Sequence, residues 1–216
     1  MNIDSRLRSL INEIHGQTLV DVGCDHGKVT WAALTEGRVQ RAIACDISDK
    51  SLDKARALAK KEDLKNVEFR CGDGLNVIKD NEADTVVIAG MGGREIIKIL
   101  SNRPSGIEKL VLCPHTEVDI VREFLSANNF FIEKDYVVKE DKHFYSIIVA
   151  IANKKDELSE KEILLGKDNK SNSIYVMYLD YLLDKYAKLL EKGITGENKD
   201  KYEKYLQIIN KERNEG

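Results

Sequence analysis

The sequence predicts an α/β fold: a mostly parallel, doubly wound sheet that ends in a hairpin and is followed by a helical appendage. Three observations carry this. Residues 1–150 alternate short β-rich runs with amphipathic helical stretches, the pattern of parallel strands joined by crossovers. The last two β-like runs of that half are separated only by a charged turn. From Leu158 onward the strand signal stops and a helical period replaces it.

Taken in order, strands are expected at residues 18–22, 41–46, 67–71, 84–89 and 109–114, with helices between them that include 48–62, 94–100 and 117–128. Five β units with four helical crossovers specify a doubly wound parallel sheet, since every parallel connection must cross one face. Two further runs, 132–138 and 144–152, flank Lys139-Glu140-Asp141-Lys142-His143, which permits a hairpin but no crossover helix. A parallel sheet finishing in a hairpin is the outline of the Rossmann-like, seven-stranded class I methyltransferase sheet, not of the six-stranded dehydrogenase domain. Beyond it, Ser159 and Glu162 form a capping box, soon interrupted by Gly166 and the polar run 167–173. Residues 174–191 place Tyr175, Tyr178, Leu182 and Leu189 on one face before a stop at Gly193. Residues 199–211 do the same with Tyr202, Tyr205, Leu206 and Ile209. These helices predict an antiparallel, coiled-coil-like hairpin, so the chain divides into a domain at 1–152 and a helical hairpin domain at 153–216. Of its tyrosines, those facing inward pack between the helices; those facing outward, among Tyr175, Tyr178, Tyr181, Tyr186, Tyr202 and Tyr205, suit stacking on bases or sugars.

Composition bounds the function. The chain has 216 residues, 42% hydrophobic and 33% charged, a globular balance with core enough to fold without metals or disulfides. No apolar run approaches the roughly 18 residues of a membrane span, so no membrane partner is expected. Met1 to Leu10 carry Asp4, Arg6 and Arg8 and lack the apolar stretch of a secretion signal, which predicts the cytoplasm. Cys24, Cys45, Cys71 and Cys113 lie far apart with no C-x-x-C pair; they are expected to be buried small apolar residues, and no metal is expected. With 34 Lys plus Arg against 37 Asp plus Glu, the net charge is -3, which disfavours nucleic acid as a general partner. The excess is local: residues 1–150 hold 21 basic and 24 acidic side chains, and residues 151–216 hold 13 of each.

The most informative stretch is Asp21-Val22-Gly23-Cys24-Asp25-His26-Gly27, which leaves the first strand and opens a helix. Gly23 allows a tight turn, after which the amides are expected to point into a site. A dinucleotide loop has G-x-G-x-x-G, so that pyrophosphate rests on bare backbone. Here the spacing is G-x-D-x-G. Asp25 repels a pyrophosphate and suits the ammonium of an amino-acid moiety, as in S-adenosylmethionine; Asp21 suits the same role or organises the loop. Asp46, followed by Ile47 at the end of the second strand, is placed to accept from ribose hydroxyls. Asp73 in Gly72-Asp73-Gly74 is placed to accept from an adenine amino group. Each aspartate alone also reads as a turn residue, but three at successive strand ends, with the glycines, read as a ligand site.

The fourth strand delivers Ala89-Gly90-Met91-Gly92-Gly93. A loop with so few side chains admits a flat acceptor close to the cofactor, and a close-packed turn accounts for one such glycine more easily than for three. The fifth strand ends Cys113-Pro114-His115; His115 is a base, a donor or an incidental rim histidine.

With these motifs in place, the sequence resembles the bacterial tRNA (adenine-N1)-methyltransferases that act on adenosine 22. The resemblance rests on Asp4-Ser5-Arg6-Leu7, on Asp21 to His26, on Gly72-Asp73-Gly74-Leu75, on Ala89 to Gly93 and on Tyr145 to Ala150. The chain departs from the family pattern at Gly27-Lys28-Val29-Thr30, where Ala-Tyr-Leu-Pro is favoured, and at Cys113-Pro114-His115, which stands for Gln-Pro-Asn. The resemblance implies S-adenosyl-L-methionine as cofactor and tRNA as partner; the oligomeric state is undetermined from the sequence, a monomer being slightly favoured. It implies that Asp21, Gly23, Asp25, His26, Asp46, Ile47, Asp73, Gly74 and Ala89 hold the cofactor. It further implies that Gly90, Met91 and Gly92 floor the acceptor slot and that Asp4 and Arg6 close over the target nucleotide. Tyr145 either stacks on the acceptor or belongs to the core. The residues alone also admit the same fold with a ribosomal-RNA or small-molecule acceptor, or a non-catalytic S-adenosylmethionine-binding scaffold.

Overall fold

The structure, a computed structural model, describes residues 3–167, 169 and 174–215. Runs of apolar and β-branched residues build β1 (Thr18–Val22), β2 (Arg41–Asp46), β3 (Val67–Cys71), β4 (Thr85–Ala89), β5 (Lys109–Cys113), β6 (Phe130–Glu140) and β7 (His143–Ala152). All seven form one sheet in the order β3-β2-β1-β4-β5-β7-β6. The strands β1 to β5 pair in parallel, whereas β7 runs antiparallel to both β5 and β6. The strand order reverses between β1 and β4, and a crevice opens at the carboxyl ends of such a pair.

Five helices cover the sheet: α1 (Ser5–Asn12), α2 (Lys28–Thr35), α3 (Asp49–Lys61), α4 (Gly93–Ser101) and α5 (Val118–Ala127). Because side chains alternate across a strand, Val20, Val22, Val86, Ile88, Leu110 and Leu112 meet Ile96 and Leu100 of α4 and Val121 and Leu125 of α5 on one face. On the other, Leu19, Ala42, Val87 and Val111 meet Leu10 and Ile11 of α1 and Val29 and Ala33 of α2. Leu52 and Ala55 bring α3 onto Ala44. Each fully buried Val, Leu or Ile among these contributes about 1.5–3 kcal/mol.

Three expectations change. The β3–β4 connection holds a 3-10 turn, Gly74–Val77, where a helical crossover was predicted; a stretch rich in Gly, Asp and Asn lacks the apolar period a helix needs. The hairpin is longer than predicted: both strands run on through the charged segment until only Asp141 and Lys142 remain in the turn, Asp141 with φ 53°. Of the four cysteines, Cys24, Cys45 and Cys113 are buried but Cys71 is exposed, because it ends β3 at the edge of the sheet.

The tail comprises α6 (Glu160–Leu165), α7 (Tyr175–Glu191) and α8 (Glu197–Glu215). Both hydrogen bonds of the Ser159–Glu162 capping box are made. Within the polar run after Gly166, residues 168 and 170–173 lie outside the described residues. Helices α7 and α8 form a hairpin whose apolar side, with Tyr178, Leu182, Tyr186 and Ile209, is completed by Val137 of β6 and Phe144 of β7. The tail therefore shares its core with the terminal hairpin of the sheet. No helix of the described residues is long and apolar enough to cross a membrane.

Candidate active site

The loop from β1 to α2 turns at Gly23, whose φ is 71°. The amides of Gly23 and Cys24 donate to the Cys45 carbonyl at 2.8 and 3.2 Å, and that of Asp25 donates to Asp46 Oδ2 at 3.3 Å. The expectation that these amides aim into the site is thus corrected. The loop lies over the end of the neighbouring parallel strand, and β2 takes them. Gly27, at φ 69°, precedes α2, and a Cβ there would stand 2.9 Å from Ala55 Cβ, so the close approach of α3 requires glycine.

Asp21 is buried, and its Oδ2 accepts from Thr30 Oγ1 at 2.7 Å and from the Thr30 amide at 3.2 Å. It organises the loop by tying β1 to the first turn of α2. Burial pushes its carboxyl up to about 6, against the opposing effect of the two Thr30 hydrogen bonds; the Asp46 charge adds to the rise. Asp25 lies on the rim, with φ 41°, its carboxylate 3.0 Å from Lys54 Nζ and 3.4 Å from His26 Nε2. Asp46 accepts from the amides of Asp25 and Ser48. Asp73 pairs with Lys98 at 3.3 Å.

These residues line a two-lobed crevice. One lobe, about 380 Å³, is bordered by Asp4, Arg6, Asp21, Gly23, Asp25, His26, Ala89, Gly90 and His115, among others. The second, about 110 Å³, is bordered by Gly23, Asp46, Ile47, Asp73, Gly74 and Met91, among others. The lobes meet at Gly23, where a Cβ would come within 2.4 Å of Met91 Cε. Ile47 is 74% exposed, an apolar lip on the smaller lobe. Every site residue predicted from sequence lines one lobe or the other, except Gly92.

The glycine-rich loop after β4 divides its work. Gly90, at φ 84°, has open space where a Cβ would project and borders the larger lobe. Met91 lies beneath Gly23, on the smaller lobe. Gly92 caps α4 and bridges to Thr116, and a Cβ on Gly93 would meet the Glu117 carbonyl at 2.3 Å. Of Gly90, Met91 and Gly92, expected together as the acceptor floor, only Gly90 borders the larger lobe; packing against the β5–α5 loop explains Gly92 and Gly93.

Opposite Gly90 stands the start of α1. Asp4 caps the helix by accepting from the Leu7 amide at 2.7 Å. Arg6 lies over the Tyr145 ring, 5.1 Å from its centroid, with Nη1 3.4 Å from His115 Nε2. Burial, followed by the Arg6 charge, pulls the His115 imidazole below its ordinary value. The Ser5 amide donates to Glu140 Oε2 at 2.8 Å, and the Ser5 hydroxyl donates to the same carboxylate, which latches α1 to the hairpin. Thr30, Lys54 and Glu140 carry no motif in the sequence. Strand parity turns Asp21 toward α2 but does not single out Thr30. Among the described residues, no group of three or more His, Cys, Asp or Glu side chains is placed to hold a metal ion.

A seven-stranded sheet with a terminal antiparallel hairpin, and acidic strand ends around a glycine turn, defines a Rossmann-like methyltransferase. The family described as "Methyltransferase domain" matches residues 3–148. The tRNA (adenine(22)-N(1))-methyltransferase of Bacillus subtilis (strain 168) is 32% identical over 161 residues, 72% of this chain and 68% of the relative. The solved structure of M. capricolum TrmK in complex with S-adenosyl-homocysteine matches with a TM-score of 0.85 and 28% identity over 98% of each chain. That of the B. subtilis M1A22 tRNA methyltransferase TrmK matches with a TM-score of 0.83 and 27% identity, over 98% of this chain and 99% of the other. The chain belongs to the tRNA (adenine(22)-N(1))-methyltransferase family within the methyltransferase domains.

Proposed function

We propose that the protein transfers the methyl group of S-adenosylmethionine to N1 of adenosine 22 in tRNA. The observation that carries this reading is the meeting, in one crevice, of strand-end carboxylates on one side with Asp4, Arg6 and Gly90 on the other. The residues fit the cofactor. A lining with Asp21, Asp25, Asp46 and Asp73 favours a cation over a pyrophosphate, Gly23 leaves a cradle that a Cβ would fill, and Ile47 offers an apolar face. When bound, S-adenosylmethionine supplies a methyl carbon made electrophilic by its sulfonium.

The chain's own residues then bind and orient. Asp46 keeps acceptor capacity for ribose hydroxyls beyond the two amides it already takes. Asp73 accepts from the adenine amino group of the cofactor, and Asp25 exchanges Lys54 for the ammonium. Arg6, lying over the Tyr145 ring, meets the phosphate or edge of the target nucleotide, and Asp4 accepts from its amino group. Neutral adenine already has a lone pair at N1, so no strong base is required. Burial and the Arg6 charge disfavour the His115 imidazolium, and hence a further positive charge beside the cation that forms. Alignment and exclusion of water supply most of the rate, after the base has left its stack. A tRNA-modifying role places the work in the cytoplasm, and the single chain holds all the residues invoked.

The test incubates the protein with labelled S-adenosylmethionine and unmodified bulk tRNA and maps the modified position. Label at N1 of adenosine 22 is expected. No incorporation at any adenosine, by protein shown calorimetrically to bind S-adenosylhomocysteine, overturns the reading.

A further inference from the structure

Beside the acceptor end of the crevice lies a second cleft that the proposed reaction does not use. Its walls include His115 and Thr116 from the loop after β5, Phe144 from β7, and Tyr178, Tyr181 and Lys185 from α7. His115 borders both this cleft and the larger lobe, so the two are one side chain apart.

The cleft presents an aromatic platform. Tyr181 is 42% exposed, while Tyr178 beneath it is buried. Their rings are nearly parallel, at 20° with centroids 6.5 Å apart, and Phe144 supports Tyr181 at 5.2 Å. One turn further along α7, Lys185 lies over the Tyr186 ring at 5.3 Å. The acids of the cleft are already engaged: Asp119 accepts from Lys201 and Tyr205, both at 2.8 Å, and Glu117 accepts from Arg94 at 2.7 Å. Among the described residues, no carboxylate stands within salt-bridge distance of Lys185.

A part-exposed aromatic ring followed by a lysine with no carboxylate within salt-bridge distance is the chemistry that holds a nucleotide, the ring stacking on the base and the ammonium meeting a phosphate. We propose that this cleft is a subsite for a nucleotide flanking the methylated adenosine, stacked on Tyr181 and tethered by Lys185. The assignment rests on the RNA-methyltransferase reading above. It follows from continuity with the acceptor lobe: when a base is drawn from its stack into a pocket, its neighbour in the strand is left next to that pocket's rim, without its stacking partner. The platform at that rim replaces the lost stack without reading base identity, because every base has a π face.

The test uses the full-length protein, labelled S-adenosylmethionine and unmodified tRNA. Tyr181→Ala is expected to raise the KM for tRNA roughly 5- to 150-fold, with the affinity for S-adenosylhomocysteine unchanged in calorimetry. Tyr181→Phe, which keeps the ring, is expected to restore wild-type KM. Lys185→Gln is expected to reduce the slope of log affinity for tRNA against log salt by about 1. Wild-type KM in Tyr181→Ala, the result expected if a protein segment occupies the cleft, overturns the subsite, as does a Phe variant as impaired as the Ala variant. Should Tyr181→Ala lose S-adenosylhomocysteine affinity, the salt slope of Lys185→Gln decides, and an unchanged slope counts against the proposal. A wild-type protein that methylates no tRNA fails the underlying reading instead, and is recognised before any variant is made.

Discussion

Asp21 carries its charge in the least favourable place of any carboxylate in the crevice. Burial outweighs the two hydrogen bonds from Thr30 and lifts its carboxyl from 3.8 to about 6. Between those values the folded chain holds a proton that the unfolded chain has released. Stability therefore rises as pH falls from 7 through about 6 and gains nothing further below 3.8. Asp21→Asn keeps an oxygen for Thr30 and removes the titration. In urea unfolding at a series of pH values, wild type is expected to gain on this variant by about 2 kcal/mol as pH falls from 7 to 4.5. A difference independent of pH would show that Asp21 titrates as it does in the unfolded chain. The sequence marked Asp21 as a site residue from its place in the Asp21–His26 motif. It could not reveal Thr30 as partner, because that contact depends on how the loop between them closes over β2.

At the scale of elements, segments with a period of their own were legible and segments held by distant partners were not. The central strands of residues 1–150 are short apolar runs and the helices carry an amphipathic period, whereas the 3-10 turn at Gly74–Val77 has neither, and the doubled glycine Gly92-Gly93, which reads as a ligand loop, is set by the close approach of Thr116 and Glu117. The joint between sheet and tail is another such case. Arg122 of α5 is fully buried, donating to Asp135 of β6 at 2.8 and 3.0 Å and to the carbonyls of Ile163 and Leu164, both at 3.0 Å. A Cβ on Gly166 would come within 2.8 Å of the same carboxylate. One arginine thus fastens α5, β6 and the end of α6 together. Removing one charge leaves the other buried without compensation, so Asp135→Ala is expected to cost about 3–5 kcal/mol in denaturant unfolding. Replacing both, Arg122→Met with Asp135→Leu, is expected to recover most of that loss. A double variant as unstable as the single one would show that the hydrogen bonds to the tail, not the charge balance, hold the joint.

For the whole molecule, the question is how a chain with a net charge of -3 holds a polyanion. The count of charges was visible in the sequence, but their pairing was not, and pairing decides the answer. Arg8 lies against Glu36, Arg94 against Glu117, Lys98 against Asp73 and Lys188 against Asp184. Cations already neutralised within the protein release few counterions from RNA, since a phosphate must first displace a carboxylate. Exposed pairs of this kind contribute little to stability, so their main consequence lies in binding. At the crevice and its neighbouring cleft, Lys28 and Lys185 have no carboxylate within salt-bridge distance among the described residues and Arg6 has only Asp4, at 3.9 Å; recognition draws on these few cations, on stacking and on the fit of the extruded base. Each phosphate neutralised contributes about 0.7–0.9 to the slope of log affinity against log salt. For tRNA titrated between 50 and 200 mM salt, in the presence of S-adenosylhomocysteine, the expected slope is roughly -2 to -4. A slope near -8 would mean that tRNA opens the surface ion pairs and spreads over the charged faces, and the local mode of recognition argued from the crevice and its neighbouring cleft would then be wrong.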